Sequence, residues 1–368
     1  MASHAHDAVP AWTWALPASA SLLLALKSFA LVPADNGFLL ALAGLLLGGC
    51  VFAAVHHAEV LALKLGEPFG SILLAVAVTV IEVGLIVSIM LSGVQGSDSV
   101  ARDTIYAAVM IVLNGVIGLC LVLGAQRHHE QSFQLHGASA ALAVLGTLAT
   151  IALILPNYTL ATAGPHYAPV QLVFVGAVSF VLYCIFIFVQ TIRHRDYFLD
   201  GDDDEMVSGA APLHRPSNRT VAIGAVLLIV ALASVVLLAK ILSYPLDRAV
   251  AAAGLPPAFV GVVIAAVVLL PEGIAAVKAA MLNRLQNSMN LALGSALASI
   301  ALTIPTVAAI SLLWQQKLVL GLTPQSTVLL LLTLFISTLT LGTGRTTVLQ
   351  GAVHLVIFAV FILLSAVP

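Results

Sequence analysis

The sequence predicts an all-α, polytopic integral membrane protein of about 11 transmembrane helices, one extra N-terminal helix followed by two inverted five-helix repeats. Of its 368 residues, 61% are hydrophobic and only 8% charged, where an ordinary soluble domain is roughly one-quarter charged. Apolar runs near the ~20 residues that cross a bilayer recur along the whole length, which excludes a soluble body on a single anchor. When the second half is slid back by 190 positions, Gly261 to Met281 lies on Ser71 to Leu91, and Glu272 coincides with Glu82.

Along the chain, spans are expected at about 13 to 32, 37 to 60, 68 to 93, 104 to 125, 138 to 155 and 168 to 191. Five more are expected at about 220 to 242, 257 to 281, 289 to 313, 324 to 341 and 346 to 366. Pro33 to Gly37, Gly66 to Pro68, Gly93 to Asp98, Arg127 to His129, Pro156 to Pro169 and Pro256 to Pro257 punctuate them with turn formers and charge. The first run has no Lys or Arg before it and no persuasive cleavage site, so it is expected to stay in the protein. Cys50, Cys120 and Cys184 lie in separate apolar runs without CxxC spacing, which predicts buried packing.

The longest polar interval runs from Arg193 to Arg219 and divides the chain into 1–35 (N-terminal segment and extra helix), 36–192 (first repeat), 193–219 (acidic linker) and 220–368 (second repeat). Five spans on each side of the linker give the halves opposite orientation, the inverted plan of many secondary transporters. With the N-terminus cytoplasmic, inner loops hold Lys64, Arg127, Arg193, Arg195, Arg215, Arg219, Lys278, Arg284 and Arg345. Outer loops hold only Arg102, Arg248 and Lys317, so the positive-inside rule favours N-terminus in and C-terminus out, in a bacterial inner membrane.

Glu82 and Glu272 carry the chemistry. A carboxylate in mid-helix is expensive in hydrocarbon and usually marks an ion pathway; a protonated glutamate bonded to a neighbouring helix is the structural alternative. Glu272 follows Pro271, which has no N–H for the Val267 carbonyl, and a carboxylate beside a freed carbonyl suits a hard cation. On the next helix Ser295, Ser299 and Thr303 recur every four residues; in the first half the counterpart face is Tyr106, Met110, Asn114 and Gly118. Asn114 and Ser299, with Thr79 one turn before Glu82, are candidate supporting ligands, and close helix packing is the other reading of such stripes.

His56, His57 and His354 are candidate proton relays, with interfacial or buried structural roles as the alternative. Asp200, Asp202, Asp203, Asp204 and Glu205 form either a cation-collecting regulatory loop or a solvated linker. Glu67 is placed to stabilise a helix N-terminus. The net charge of −2 argues against nucleic acid. No Gly-Lys-Ser/Thr phosphate loop, His-Glu-x-x-His or Gly-x-Ser-x-Gly occurs, so an enzyme is disfavoured and no cofactor is called for beyond transported Ca²⁺, Na⁺ or K⁺ and protons. Paired buried carboxylates tend to hold protons when empty, and a cation displaces them. If the site reorients only when occupied, competition becomes exchange; a channel without strict coupling is the same-site alternative. No residue pattern sets an oligomeric state.

Leu65-Gly66-Glu67-Pro68-Phe69-Gly70, Ile81-Glu82-Val83, Arg102-Asp103-Thr104, Pro271-Glu272-Gly273, Met289-Asn290-Leu291 and Thr343 to Leu349 together resemble the cation/Ca²⁺ exchanger superfamily, in its proton-coupled branch, over nearly the whole chain. The resemblance implies an extra helix before two inverted five-helix repeats, an acidic segment between them, and a Gly-Asn-x-x-Glu signature in each repeat. It implies that Glu82 and Glu272 bind the cation. Here the Gly-Asn positions read Val78-Thr79 and Val268-Leu269, which removes two amide ligands and leaves Na⁺ and K⁺ beside Ca²⁺ as candidate substrates.

Overall fold

A backbone N–H in hydrocarbon has no water to bond, so an apolar chain of this kind must close its hydrogen bonds within each segment. The structure, a computed structural model, describes residues 10–29, 36–66, 69–94, 96–199 and 216–368. Eleven long helices stand among them: α1 (Ala11–Ser28), α2 (Gly37–Leu65), α3 (Phe69–Met90), α4 (Val100–His128), α5 (Leu135–Tyr158), α6 (Pro169–Arg193), α7 (Asn218–Ala252), α8 (Phe259–Met281), α9 (Leu285–Trp314), α10 (Pro324–Leu341) and α11 (Val348–Ala366). Ten are long and apolar enough to cross a membrane; α1, which carries Thr13, Pro17, three serines and Lys27 among its apolar residues, is not one of them.

Side chains close the helix ends. Asn36 Oδ1 accepts from Phe38 N at 2.9 Å, Ser217 Oγ from Thr220 N at 3.2 Å and Thr323 Oγ1 from Ser326 N at 3.3 Å, each satisfying an orphan donor of a first turn. Three helices widen into π-turns: Ile111–Val116 in α4, Thr150–Ile154 in α5 and Val189–Arg193 in α6. The most extended departure from the expected spans is α7, whose 35 residues continue through Pro245. At 1.5 Å per residue it is about 50 Å long, more than a bilayer core, and beyond the apolar stretch Arg248 lies 5.5 Å over the Tyr244 ring.

The helices form two compact units. In the first, comprising α1, α2, α3 and α7, α2 lies against each of the other three. Gly84 lets α3 approach α7, since a Cβ there would sit 2.5 Å from Val236 Cγ2. Ser21 and Ser234 hydroxyls meet at 3.4 Å between α1 and α7.

In the second unit α8 packs on α4 and α9, α9 on α5 and α6, and α11 on α4. Its connections gather at two ends. At one, Gln131–Ser132 pairs antiparallel with Arg345–Thr346, Gln134 N donates to Gln286 Oε1 at 2.7 Å, and Asn290 Nδ2 donates to Phe198 O at 2.5 Å. At the other, Val319 N donates to Asp98 O at 3.0 Å, and Asn157 Nδ2 to Leu322 O at 2.7 Å. The grouping follows the alternation expected of consecutive crossings. Arg127, Arg193, Arg195, Arg284 and Arg345 belong to the first end, Arg102 and Lys317 to the second.

Cysteine placement corrects one expectation. Cys50 and Cys120 are buried, but Cys184 is exposed, because the α6 face that carries it along with Phe180, Val181 and Phe188 points away from the protein.

Gly261 fixes the crossing of α8 with α4: a Cβ there would lie 2.7 Å from the Asp103 carbonyl carbon and the Thr104 nitrogen. Both are backbone atoms, so Gly261→Leu is expected to cost about 1–3 kcal/mol, measured by thermal unfolding in detergent. Gly44→Ala, where a Cβ meets nothing within 4 Å, should leave the transition in place.

Candidate cation-binding residues

In the first unit Glu82 lies in mid-α3 and is 3% exposed. One turn earlier, Thr79 is buried and its hydroxyl donates to Ala75 O at 2.8 Å. That bond directs the hydroxyl proton to the backbone and leaves the oxygen lone pairs on the other side. Val78, where the resemblance implies a glycine, is a buried apolar side chain.

In the second unit Glu272 is 7% exposed on α8. Pro271 is buried and the helix runs through it from Phe259 to Met281, so no segment is broken, yet the Val267 carbonyl still lacks a proline N–H. Gly273 brings α8 onto the π-turn of α4; a Cβ there would sit 3.2 Å from Val116 Cγ2. Along α9, Ser299 and Thr303 are buried and Ser295 half-buried. The hydroxyl oxygens of Ser295 and Thr303 are shielded from solvent without a hydrogen-bond partner in the protein. A buried hydroxyl left in that state costs on the order of 1–3 kcal/mol, and an oxygen of this kind is a natural donor to a hard cation. Among the described residues, no group of three or more His, Cys, Asp or Glu side chains could hold a metal ion; the oxygen donors along these helices are hydroxyl, carbonyl and carboxylate.

Asn114 sits in the α4 π-turn and is fully buried. Its Nδ2 donates to Thr333 Oγ1 at 3.0 Å, and its Oδ1 lies 3.1 Å from His354 Nδ1. His354 Nε2 in turn lies 3.1 Å from Thr340 Oγ1. The expected stripe Tyr106, Met110, Asn114 and Gly118 therefore faces α11 and α10: Tyr106 meets Phe361 edge-on at 5.5 Å, and Gly118 underlies His354 and Leu355. Thr333 and Thr340 were not singled out from the sequence, although with Ser337 they recur at helical spacing within an otherwise apolar α10.

The other two candidate relay histidines, His56 and His57, belong to the first unit. His57 Nε2 donates to Thr13 O at 3.1 Å, tying α2 to the start of α1. His56 is half-buried, its ring 5.5 Å from Trp12 and 5.6 Å from His57. The acidic run from Asp200 to Glu205, and Glu67, lie outside the described residues.

A cavity of about 110 Å³ opens in the second unit at the end opposite the β-pair, lined by Arg102, Asp103, Tyr106, Thr323 and Ser326 among others. Arg102 Nε donates to Asp103 Oδ1 at 2.7 Å, with Nη2 also 2.7 Å from that oxygen; Ser99 Oγ donates to Asp103 Oδ2 at 2.9 Å, and Arg102 Nη1 donates to Gly321 O at 3.3 Å. The pair is nearly enclosed, with side chains 14% and 9% exposed.

Residues 36–192 and 223–367 match the sequence model of the sodium/calcium exchanger protein family, the gap falling over the acidic linker. Over 360 residues the chain is 61% identical to the ionic transporter y4hA of Sinorhizobium fredii (strain NBRC 101917 / NGR234), covering 98% of this chain and 97% of that protein. It is 35% identical over 330 residues to the sodium-potassium/proton antiporter ChaA of Escherichia coli (strain K12), covering 88% and 87%. The crystal structure of the selenium-substituted Ca²⁺/H⁺ antiporter YfkE superposes with a TM-score of 0.72 at 16% identity, over 97% of this chain and 99% of that one, a likeness of fold.

The enclosed Arg102–Asp103 pair yields a stability test. Arg102→Leu leaves a buried carboxylate without its cation and is expected to cost about 3 kcal/mol. The double variant Arg102→Leu/Asp103→Leu should recover most of that loss, read as thermal unfolding of the two proteins side by side.

Proposed function

The chain belongs to the sodium/calcium exchanger protein family and is a membrane-spanning cation/proton antiporter, and from that premise we propose that it exports cytoplasmic Ca²⁺, Na⁺ or K⁺ against incoming protons, with Glu82 and Glu272 binding cation and protons in alternation. The observation that carries this reading is the burial of one glutamate in each matched segment, Glu82 at 3% and Glu272 at 7% exposure, in the middle of helices apolar enough to cross a membrane.

The chemistry follows from what a low-dielectric surrounding does to a carboxylate. Ionised and alone it is costly, so it takes a proton or a cation. The two ligands compete for the same oxygens, and a carrier that reorients only when those oxygens are occupied moves one species outward for each release of the other. Thr79 supplies hydroxyl oxygen near Glu82 in the first unit; in the second, Ser295, Ser299 and Thr303 supply hydroxyl oxygen and Pro271 frees a carbonyl beside Glu272, in each case oxygen donors suited to Ca²⁺, Na⁺ and K⁺ rather than to soft metals. The relatives named above support the breadth of that list, one being a sodium-potassium/proton antiporter.

The proposed setting is the bacterial inner membrane. The arginine-rich end of the second unit, with Arg127, Arg284 and Arg345, faces the cytoplasm, which leaves the N-terminus inside and the C-terminus outside. The acidic linker then also lies on the cytoplasmic side.

Exchange driven by an imposed pH gradient in everted vesicles tests the reading with Ca²⁺, Na⁺ and K⁺ in turn. Glu82→Gln and Glu272→Gln are each expected to lose about 3 kcal/mol of cation binding, on the order of 100-fold in apparent affinity. Retained proton-coupled exchange in both variants overturns the assignment, and parental flux that ignores the pH gradient overturns antiport in favour of a channel.

A further inference from the structure

Inside the second unit one polar cluster is not used by the proposed ion chemistry. Asn114, His354, Thr333 and Thr340 are all buried, His354 at 1% exposure, where three helices meet in what is otherwise an apolar interior. Each hydrogen bond in the cluster constrains the next.

The constraint starts at Met110, whose thioether can only accept. Thr333 Oγ1 donates to Met110 Sδ at 3.4 Å, which leaves the Thr333 oxygen as an acceptor for Asn114 Nδ2 at 3.0 Å. The amide is then oriented with its oxygen toward His354 Nδ1 at 3.1 Å, so that nitrogen must carry the ring proton. His354 Nε2 is left bare and accepts from Thr340 Oγ1 at 3.1 Å. Every member is satisfied by one directed chain, the condition under which a buried network rigidifies its surroundings.

What the chain holds is the widened turn of α4. A π-turn carries one residue more than the α-helix around it and often occurs at functional positions. Ile117 N bonds Val112 O across this one. Its closing residue, Val116, is the side chain that Gly273 packs against, next in sequence to Glu272. If the turn relaxed to α geometry, the register of α4 on α8 would slip by one residue.

We propose that His354 is a positioning residue for cation exchange: as a neutral Nδ1–H imidazole it fixes the Asn114 amide, and through it the π-turn that backs the Glu272–Gly273 segment. The proposal rests on the reading of Glu272 as a cation ligand. It assigns His354 no proton transfer, since both ring nitrogens already have partners in the chain.

The test uses the full-length protein in everted vesicles, with Ca²⁺, Na⁺ and K⁺ tried in turn and rates normalised to antiporter content. His354→Leu is expected to raise the apparent KM for the cation about tenfold, as loss of an outer-shell partner does, with Vmax little changed. His354→Asn, whose amide nitrogen occupies the place of Nδ1, should restore most of the parental KM. Ser337→Ala, on the same α10 face but outside the chain of bonds, should match the parent. A parental KM in His354→Leu, or equal losses in the Leu and Asn variants, overturns the proposal. Nitrogen-15 spectra of the unsubstituted protein in bilayers give an independent readout that needs no variant to fold: protonated Nδ1 and bare Nε2 are expected, and the opposite tautomer refutes the chain. Glu272→Gln in the same vesicles separates the two ideas, because retained exchange there sinks the ligand assignment, whereas an unmoved His354→Leu with an inactive Glu272→Gln sinks only the positioning role.

Discussion

A polar atom inside a bilayer has no solvent to fall back on, and the structure is organised by where each such atom finds its partner. The backbone solves the problem helix by helix. Hydroxyls on the spans mostly solve it locally: Thr79, Ser88, Thr147, Thr306 and Thr338 each donate to the carbonyl four residues back, the usual device for carrying a hydroxyl through an apolar helix. Asn114 and His354 cannot reach their own backbone in that way and solve it between helices, through α10 and α11. Neither solution is applied to the Ser295 and Thr303 oxygens, nor to those of Thr104, Ser288 and Ser337. Ser295 and Thr303 lie on the helix that follows Glu272, at four-residue intervals around Ser299, which is where an oxygen-binding cargo would relieve the cost.

The same constraint explains why the connections sort so cleanly. A helix of 23 to 30 residues such as α8 or α9 covers about 35 to 45 Å, so consecutive turns fall at alternate ends and only turns of one end can bond. In the second unit the β-pair, the Gln134–Gln286 bond and the Asn290–Phe198 bond all join connections of one end. The last of these anchors the segment that leads into the acidic linker directly to α9. Arg127, Arg193, Arg195, Arg284 and Arg345 concentrate at the same end, the one-sided excess of basic residues that the positive-inside rule describes.

Much of the fold was legible because its signals are local and repeated. Apolar length announces a span, and turn formers mark most of the gaps between Pro33 and Pro257. The burial of Glu82 and Glu272 was legible for the opposite reason, each being the lone carboxylate of an apolar helix. The residues that escaped depend on which way a helix faces. Cys184 looks as apolar in sequence as Cys50, yet only its helix presents that face outward. Thr333 and Thr340 carry no charge and recur at a spacing that also fits plain helix packing, so their meaning appears only when Asn114 and His354 arrive from other helices. The extent of α7 escaped because the expected span ends with the apolar run near residue 242, whereas a helix leaving the bilayer continues through Pro245 where neighbouring groups re-satisfy the freed carbonyl.

The departure from the Gly-Asn signature has a chemical reading under the proposed function. At the four positions the side chains are Val78, Thr79, Val268 and Leu269, all buried, three of them apolar. Apolar branches there withdraw two amide oxygens and leave carboxylate, hydroxyl and carbonyl oxygen. Fewer strong dipoles around the charge lower the reward for a divalent ion, which gives up more hydration on entering, more than they lower it for a monovalent one. Under the proposed function a glutamate surrounded this way discriminates less by charge density and more by competition with the proton, since losing amide dipoles also removes groups that would stabilise the ionised carboxylate. Under the proposed function the selectivity of such a site is set as much by the proton as by the metal, which is how one carrier would accept Na⁺, K⁺ and Ca²⁺ and still exchange each for protons.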